Sequence, residues 1–162
     1  MKLSKLLALV LLMSLKLVAH ADILRGQVVG VSDGDTITVL DETKQRQVIR
    51  LMGIDAPEKA QAFGQKAKES LADLVFNKDV SVTWFKRDRF GRTVGQVYVD
   101  GVDVCLELIK RGLAWHYKQF EREQSVEDRS LYSIAEEQAR IARMGVWSQE
   151  LPIEPSIYRR MK

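Results

Sequence analysis

What most limits the fold of this chain is the order in which its hydrophobic period changes. Residues 23–31, 36–40, 45–52, 80–86 and 93–99 alternate in twos and are rich in branched side chains. One stretch between the third and the fourth, with Phe63, Ala67, Leu71, Leu74 and Val75, instead recurs at helical spacing. Asp33-Gly34 turns the first strand into the second, Asp41-Glu42-Thr43-Lys44 turns the second into the third, and residues 87–92 join the last two. Five short strands broken by one helix after the third is the order of a small Greek-key barrel of the OB type, closed so that no edge is left exposed. The expected class is therefore α+β, mainly β: a five-stranded OB-fold barrel with three helices. The helices are expected at residues 63–76, at 104–111 before the stop at Gly112, and around Leu131, Ile134, Ala135, Gln138, Ile141 and Ala142 up to Gly145. The basic tail from Ser156 is expected to be loose.

Residues 1–21 have to be set aside before this core is counted. Met1 to Lys5 is basic, Leu6 to Leu15 is apolar, and Ala19-His20-Ala21 is a small-x-small cleavage pattern, which together read as a signal peptide. A retained membrane anchor is the competing explanation, but the apolar run meets Lys16 and falls short of the ~20 residues a span requires. The expectation is an exported chain, periplasmic or secreted, starting at Asp22, without stable membrane association and monomeric. One domain over residues 22–147 and a tail over 148–162 suit 162 residues of which 46% are apolar.

The leader also carries Lys2, Lys5 and Lys16. Without it, 22 basic side chains face 22 acidic ones, so bulk charge gives no argument for a polyanionic partner. A local patch does exist at Lys86, Arg87, Arg89 and Arg92. Cys105 is the only cysteine, which excludes an intramolecular disulfide, and its apolar neighbours make it a buried thiol. His116 is the only histidine beyond the leader and is expected to be solvated. Neither a Cys/His zinc site nor a two-histidine acid/base pair can be assembled. Chemistry is left to carboxylates, arginines, hydroxyls and a metal.

These converge in Val48–Glu58, VIRLMGIDAPE. An apolar strand carries Arg50, breaks at Gly53, and delivers Asp55 and Glu58 at its end. A guanidinium suits a phosphate and paired carboxylates suit a hard cation or a cation with a base, a combination that points to phosphodiester chemistry. Asp35 also lies where a strand meets a turn. Plainer explanations stand beside this one: a helix capping box for Asp55 to Glu58, turn-making for Asp35, and surface ion pairs for Arg50 and Arg92.

Taken in order, Asp33-Gly34-Asp35-Thr36, Ile49-Arg50-Leu51, Gly53 to Glu58, Asp88-Arg89-Phe90-Gly91-Arg92, Arg111-Gly112-Leu113-Ala114 and Gly145-Val146-Trp147 resemble the staphylococcal nuclease (thermonuclease) family. The resemblance spans nearly all of the chain between the leader and Trp147. It implies a calcium-dependent endonuclease on an OB barrel that uses one ion, cuts DNA and RNA and leaves 3′-phosphate ends. Asp35, Asp55 and the carbonyl of Ala56 would be the metal ligands. Arg50 and Arg92 would meet the scissile phosphate, and Glu58 would act on the attacking water. Arg89, Trp115 and Tyr117 would contact substrate, although simple packing explains Trp115 and Tyr117 equally well. The chain departs from the best-known member at Ala56, where that member has threonine, at Trp115 in place of tyrosine, in a shorter segment after Glu58, and in the lack of proline after Lys118. The rivals to the enzyme are an OB-type nucleic-acid or protein binding module without catalysis and an exported interaction protein that reuses the fold.

Overall fold

The computed structural model describes residues 22–161, so the proposed signal peptide lies outside the described residues. In chain order the strands are β1 (Asp22–Val31), β2 (Thr36–Asp41), β3 (Arg46–Leu51), β4 (Ile54–Asp55), β5 (Asp79–Arg87), β6 (Thr93–Val99), β7 (Val102–Asp103) and β8 (Trp115–His116). The helices are α1 (Gly64–Val75), α2 (Val104–Lys110), α3 (Val126–Ile141) and α4 (Pro155–Arg160), with 3₁₀ turns at Lys118–Glu123 and Gly145–Ser148.

Strand β1 is long because it serves two partners. Residues 22–27 pair antiparallel with β5 and residues 26–31 with β2, with a bulge between Val28 and Gly30 that helps the strand bend from one to the other. Strand β3 continues the meander against β2, and β6 folds back on β5. The parallel pairing of Ile49–Leu51 with Thr93–Gly95 then joins β3 to β6 and closes five strands into a barrel. This is the α+β, OB-type architecture the strand order implied. The inward positions of the alternation, Val28, Ile37, Val39, Ile49, Leu51, Val82 and Val97, are fully buried. Each such side chain is worth roughly 1.5–3 kcal/mol in water-to-core transfer.

The helices cover this core. Helix α1 buries Ala67, Leu71 and Val75, and α2 buries Val104, Cys105, Leu108 and Ile109. Asp103 caps α2 by accepting from the amides of Cys105 and Leu106, while its other oxygen accepts from the Tyr132 hydroxyl and from Gln96. One carboxylate thereby ties β6, α2 and α3 together. Cys105 is buried as expected, and burial pushes its thiol pKa well above the ordinary value.

Two expectations change. Helix α3 begins at Val126 behind a Ser125 cap, and its inward face is Tyr132, Ala135, Glu136 and Ala139. Leu131, Ile134 and Ile141, which marked the helix in the sequence, point outward, Ile141 with 76% of its surface exposed. The small side chains of Ala135 and Ala139 let the helix pack closely on its neighbours, and Glu136 is accommodated on the inward face because the His116 amide, Lys118 and Arg140 all reach it. The tail, expected to be loose, instead forms α4. Pro155 begins it, Arg159 and Arg160 occupy its last turn, and Tyr158 donates a hydrogen bond of 3.2 Å to the Ala60 carbonyl. Among the described residues no helix is long and apolar enough to cross a membrane.

Candidate active site

The register of the barrel gathers the site. Thr36 lies opposite Arg50 in the β2–β3 ladder, so Asp35, just before β2, stands beside the Arg50 side chain. The amide of Leu51 donates to the Asp35 carbonyl at 2.9 Å. Gly53, at φ +75°, then turns the chain so that β4 pairs with β8 and returns Asp55 toward the same point. Gly34 is needed for a different reason: a Cβ there would stand 2.7 Å from that of Ala56 and 2.8 Å from that of Ala67. The Asp35 turn can touch the Ala56 loop only because this position has no side chain.

Arg50 is the hub of the arrangement. Its Nη1 donates to the carbonyls of Leu51 at 2.8 Å and Ile54 at 3.0 Å, which fixes the turn between them. Its Nη2 lies 3.1 Å from Asp35 Oδ2 and 3.2 Å from Asp55 Oδ1, so two carboxylates distant in sequence converge on one cationic nitrogen. Asp35 Oδ2 also accepts the Ala56 amide at 2.9 Å. Burial raises the Asp35 pKa to about 6, with Arg50 only partly offsetting it. Asp55 is raised by burial too, against the opposing effect of Arg159 and Arg50. For both groups the cost of burial outweighs the guanidiniums beside them.

Arg92 enters from the other side of the cleft. Closure of the barrel sets Arg50 opposite Val94, two residues along β6 from Arg92. Asp88 accepts from the amides of Phe90 and Arg92 and from Arg92 Nε at 2.7 Å, fixing both the hairpin and the guanidinium. Arg89 and Arg92 both lie against the ring of Phe90. The cleft encloses about 810 Å³, and Asp35, Arg50, Ala56, Glu58, Arg89, Arg92 and Tyr117 all line it. Asp55 is buried behind that surface. The capping-box explanation of Asp55 to Glu58 does not hold, because α1 starts at Gly64 after Phe63 with no side-chain cap. Lys86 and Arg87 belong to the same wall, with Lys86 paired to Glu123.

Trp115 does not line the cleft. Only 4% of it is exposed, and it packs edge-on against Trp147, with ring centroids 5.1 Å apart, beside Ala139 and Val146. A substrate contact by Trp115 is therefore replaced by a packing role. His116 is also buried rather than solvated. Its Nε2 is 2.8 Å from Gln124 Oε1 and its ring meets that of Tyr132. Tyr117 faces the cleft, T-shaped against Phe120. The residue that sequence reasoning missed is Arg159, whose guanidinium reaches Asp55 and Glu58 from α4. The pattern Glu154-Pro155 followed by a basic last turn was the available sign of that helix.

Two buried carboxylates with oxygen donors only suit a hard cation. Among the described residues no three Asp, Glu, His or Cys side chains are grouped to hold one ion. A cation here would be completed by the Ala56 carbonyl and water.

A closed five-stranded barrel with carboxylates and guanidiniums paired beside an open cleft defines an OB-barrel protein with a charged cleft site. The family model "Staphylococcal nuclease homologue" matches residues 48–149. An "Uncharacterized endonuclease" of Haemophilus influenzae is 43% identical over 136 residues, covering 84% of this chain and 73% of that relative. A relative of the same description from Escherichia coli is 42% identical over 143 residues, 88% of each chain. A "Micrococcal nuclease" of Shigella flexneri is 40% identical, covering 94% of this chain and 88% of its own. The chain belongs to the staphylococcal nuclease family.

Proposed function

We propose that this protein is a calcium-dependent endonuclease that hydrolyses phosphodiester bonds of DNA and RNA with little sequence preference and leaves 3′-phosphate ends. The observation that carries this reading is the convergence of Asp35 and the buried Asp55 on Arg50, beside the cleft that Asp35, Arg50, Glu58 and Arg92 line. The names of the relatives support it, since three of them are described as endonucleases or nucleases.

Asp35, Asp55 and the Ala56 carbonyl would hold one calcium ion, which when bound neutralises phosphate charge and polarises a phosphoryl oxygen. Arg50 and Arg92 bind the scissile phosphate as forked donors and stabilise the extra equatorial charge of five-coordinate phosphorus, which a lysine's point charge would meet less well. Glu58, partly exposed at the rim, takes a proton from the attacking water, a contribution of about 10²- to 10⁴-fold. The new bond joins water oxygen to phosphorus, the bond to the 5′ oxygen breaks, and that oxygen leaves with a proton from solvent. Arg89 and Tyr117 steer the strand along the cleft. The leader pattern of residues 1–21 supports export of the activity. Asp35, Arg50, Asp55, Glu58 and Arg92 are all present, which favours the enzyme over a binding module that has lost its chemistry.

The test is incubation of the purified protein with single- and double-stranded DNA and RNA in calcium, magnesium or chelator, followed by end-group analysis. Cleavage that needs calcium, yields 3′-phosphates and falls by about 10²-fold or more in Glu58→Gln is expected. Cutting that persists in chelator, or is unchanged in Glu58→Gln, would overturn the mechanism.

A further inference from the structure

Arg159 holds the oxygens that the proposed chemistry needs. Its Nη1 lies 3.0 Å from Asp55 Oδ1 and 2.8 Å from Glu58 Oε1, and its Nη2 lies 3.0 Å from Asp55 Oδ2. One guanidinium therefore engages both oxygens of a proposed metal ligand and one oxygen of the proposed base. A metal held through Asp55, and a water acted on by Glu58, require those same oxygens.

Resting on the metal-dependent reading above, we propose that Arg159 is an intramolecular competitor for the divalent cation: α4 covers the site until the ion binds, and ion binding releases the helix. The charges point the same way. Asp35, Asp55 and Glu58 face Arg50 and Arg159, leaving one net negative charge. A divalent ion in place of Arg159 brings this group to neutrality, whereas ion and guanidinium together would leave excess positive charge in a largely buried place. The two cations exclude one another.

The helix is also built to leave. Pro155 is the one residue of α4 that is buried, and polar contacts help to anchor the segment around it. They include the Tyr158 hydroxyl on the Ala60 carbonyl and the Gln61 amide on the Ile153 carbonyl at 2.6 Å. Both of these reach the segment that follows Glu58, so release of α4 also frees the rim of the cleft. No residue of α4 belongs to the buried core cluster, so its release leaves that cluster intact.

The test measures calcium binding by calorimetry at low ionic strength for the wild type, Arg159→Ala and Arg160→Ala. Amide ¹⁵N relaxation of residues 156–160 is recorded with and without calcium. An ion that binds only a state open in about a tenth of the molecules is weakened about tenfold, so Arg159→Ala is expected to bind calcium about tenfold more tightly. Arg160, whose Nε donates to the Ser156 carbonyl of its own helix, serves as the control and binds as the wild type does. In the wild type, the amides of 156–160 are expected to become mobile on saturation with calcium. Equal or weaker binding by Arg159→Ala, or a helix that stays rigid in the calcium-bound protein, would overturn the competitor alone. Absence of calcium binding in both proteins, with native spectra retained, would defeat the metal reading and the competitor with it.

Discussion

Replacing Asp35 by Asn should stabilise the fold at neutral pH while abolishing the proposed chemistry. The Asp35 carboxyl moves from an ordinary value of 3.8 to about 6 on folding, chiefly through burial. Below pH 4 the group is protonated in both the folded and unfolded chain and costs nothing. Between pH 4 and 6 the unfolded chain gives up the proton first, so stability falls with rising pH, and above pH 6 the full penalty is present. At about 1.36 kcal/mol per pH unit that penalty is about 3 kcal/mol. An asparagine carbonyl can still accept the Ala56 amide, but its NH₂ group would face Arg50, returning about 1 kcal/mol. The variant should therefore be about 2 kcal/mol more stable than wild type at pH 8 and level with it, or slightly less stable, at pH 4. Urea unfolding in chelator, followed by tryptophan fluorescence at both pH values, measures this directly. Asp55, raised like Asp35, and Asp41, lowered to about 2 by its bonds from Thr43 and Gln47, titrate in both proteins. The difference between variant and wild type therefore cancels Asp41 and reports Asp35 together with its coupling to Asp55 through Arg50. A variant equally destabilised at both pH values would refute the argument that this buried carboxylate is held at the expense of stability.

Other positions test separate parts of the site. Arg50→Ala should lower turnover of plasmid by about 10²-fold or more, and it should also loosen the turn at Leu51–Ile54, visible as faster amide exchange there. Asp88→Asn removes the partner that aims Arg92; a fall in kcat of about tenfold, smaller than that of Arg92→Ala, is expected from steady-state kinetics. Gly34→Ala forces a methyl against Ala56 and Ala67 and should cost about 1–3 kcal/mol in thermal or urea unfolding, with calcium binding weakened because the Ala56 loop is pushed aside. Trp115→Ala should destabilise by about 3–5 kcal/mol while leaving KM for DNA near the wild-type value, since the ring packs on Trp147 rather than lining the cleft.

Physical scale separates what was legible in the sequence from what was not. The alternation in β1, β2, β3, β5 and β6, and turns such as Asp33-Gly34, are set by neighbours a few residues apart, so strand order and barrel class could be read directly from the amino acids. The residue types around Val48–Glu58 likewise announced oxygen donors beside a guanidinium, and a chain with one histidine and one cysteine beyond its leader left few other chemistries open. Side-chain environment was decided by distant partners. Trp115 and His116 are buried because Trp147, Gln124 and Glu136 come to them, and nothing in the local pattern of residues 115–117 records that. The aliphatic residues of α3 face outward because Tyr132 must reach Asp103 and Glu136 must reach the His116 amide. Arg159 meets Asp55 across 104 residues of sequence. A contact of that kind depends on where the closed barrel leaves its last helix, which only the complete tertiary structure determines.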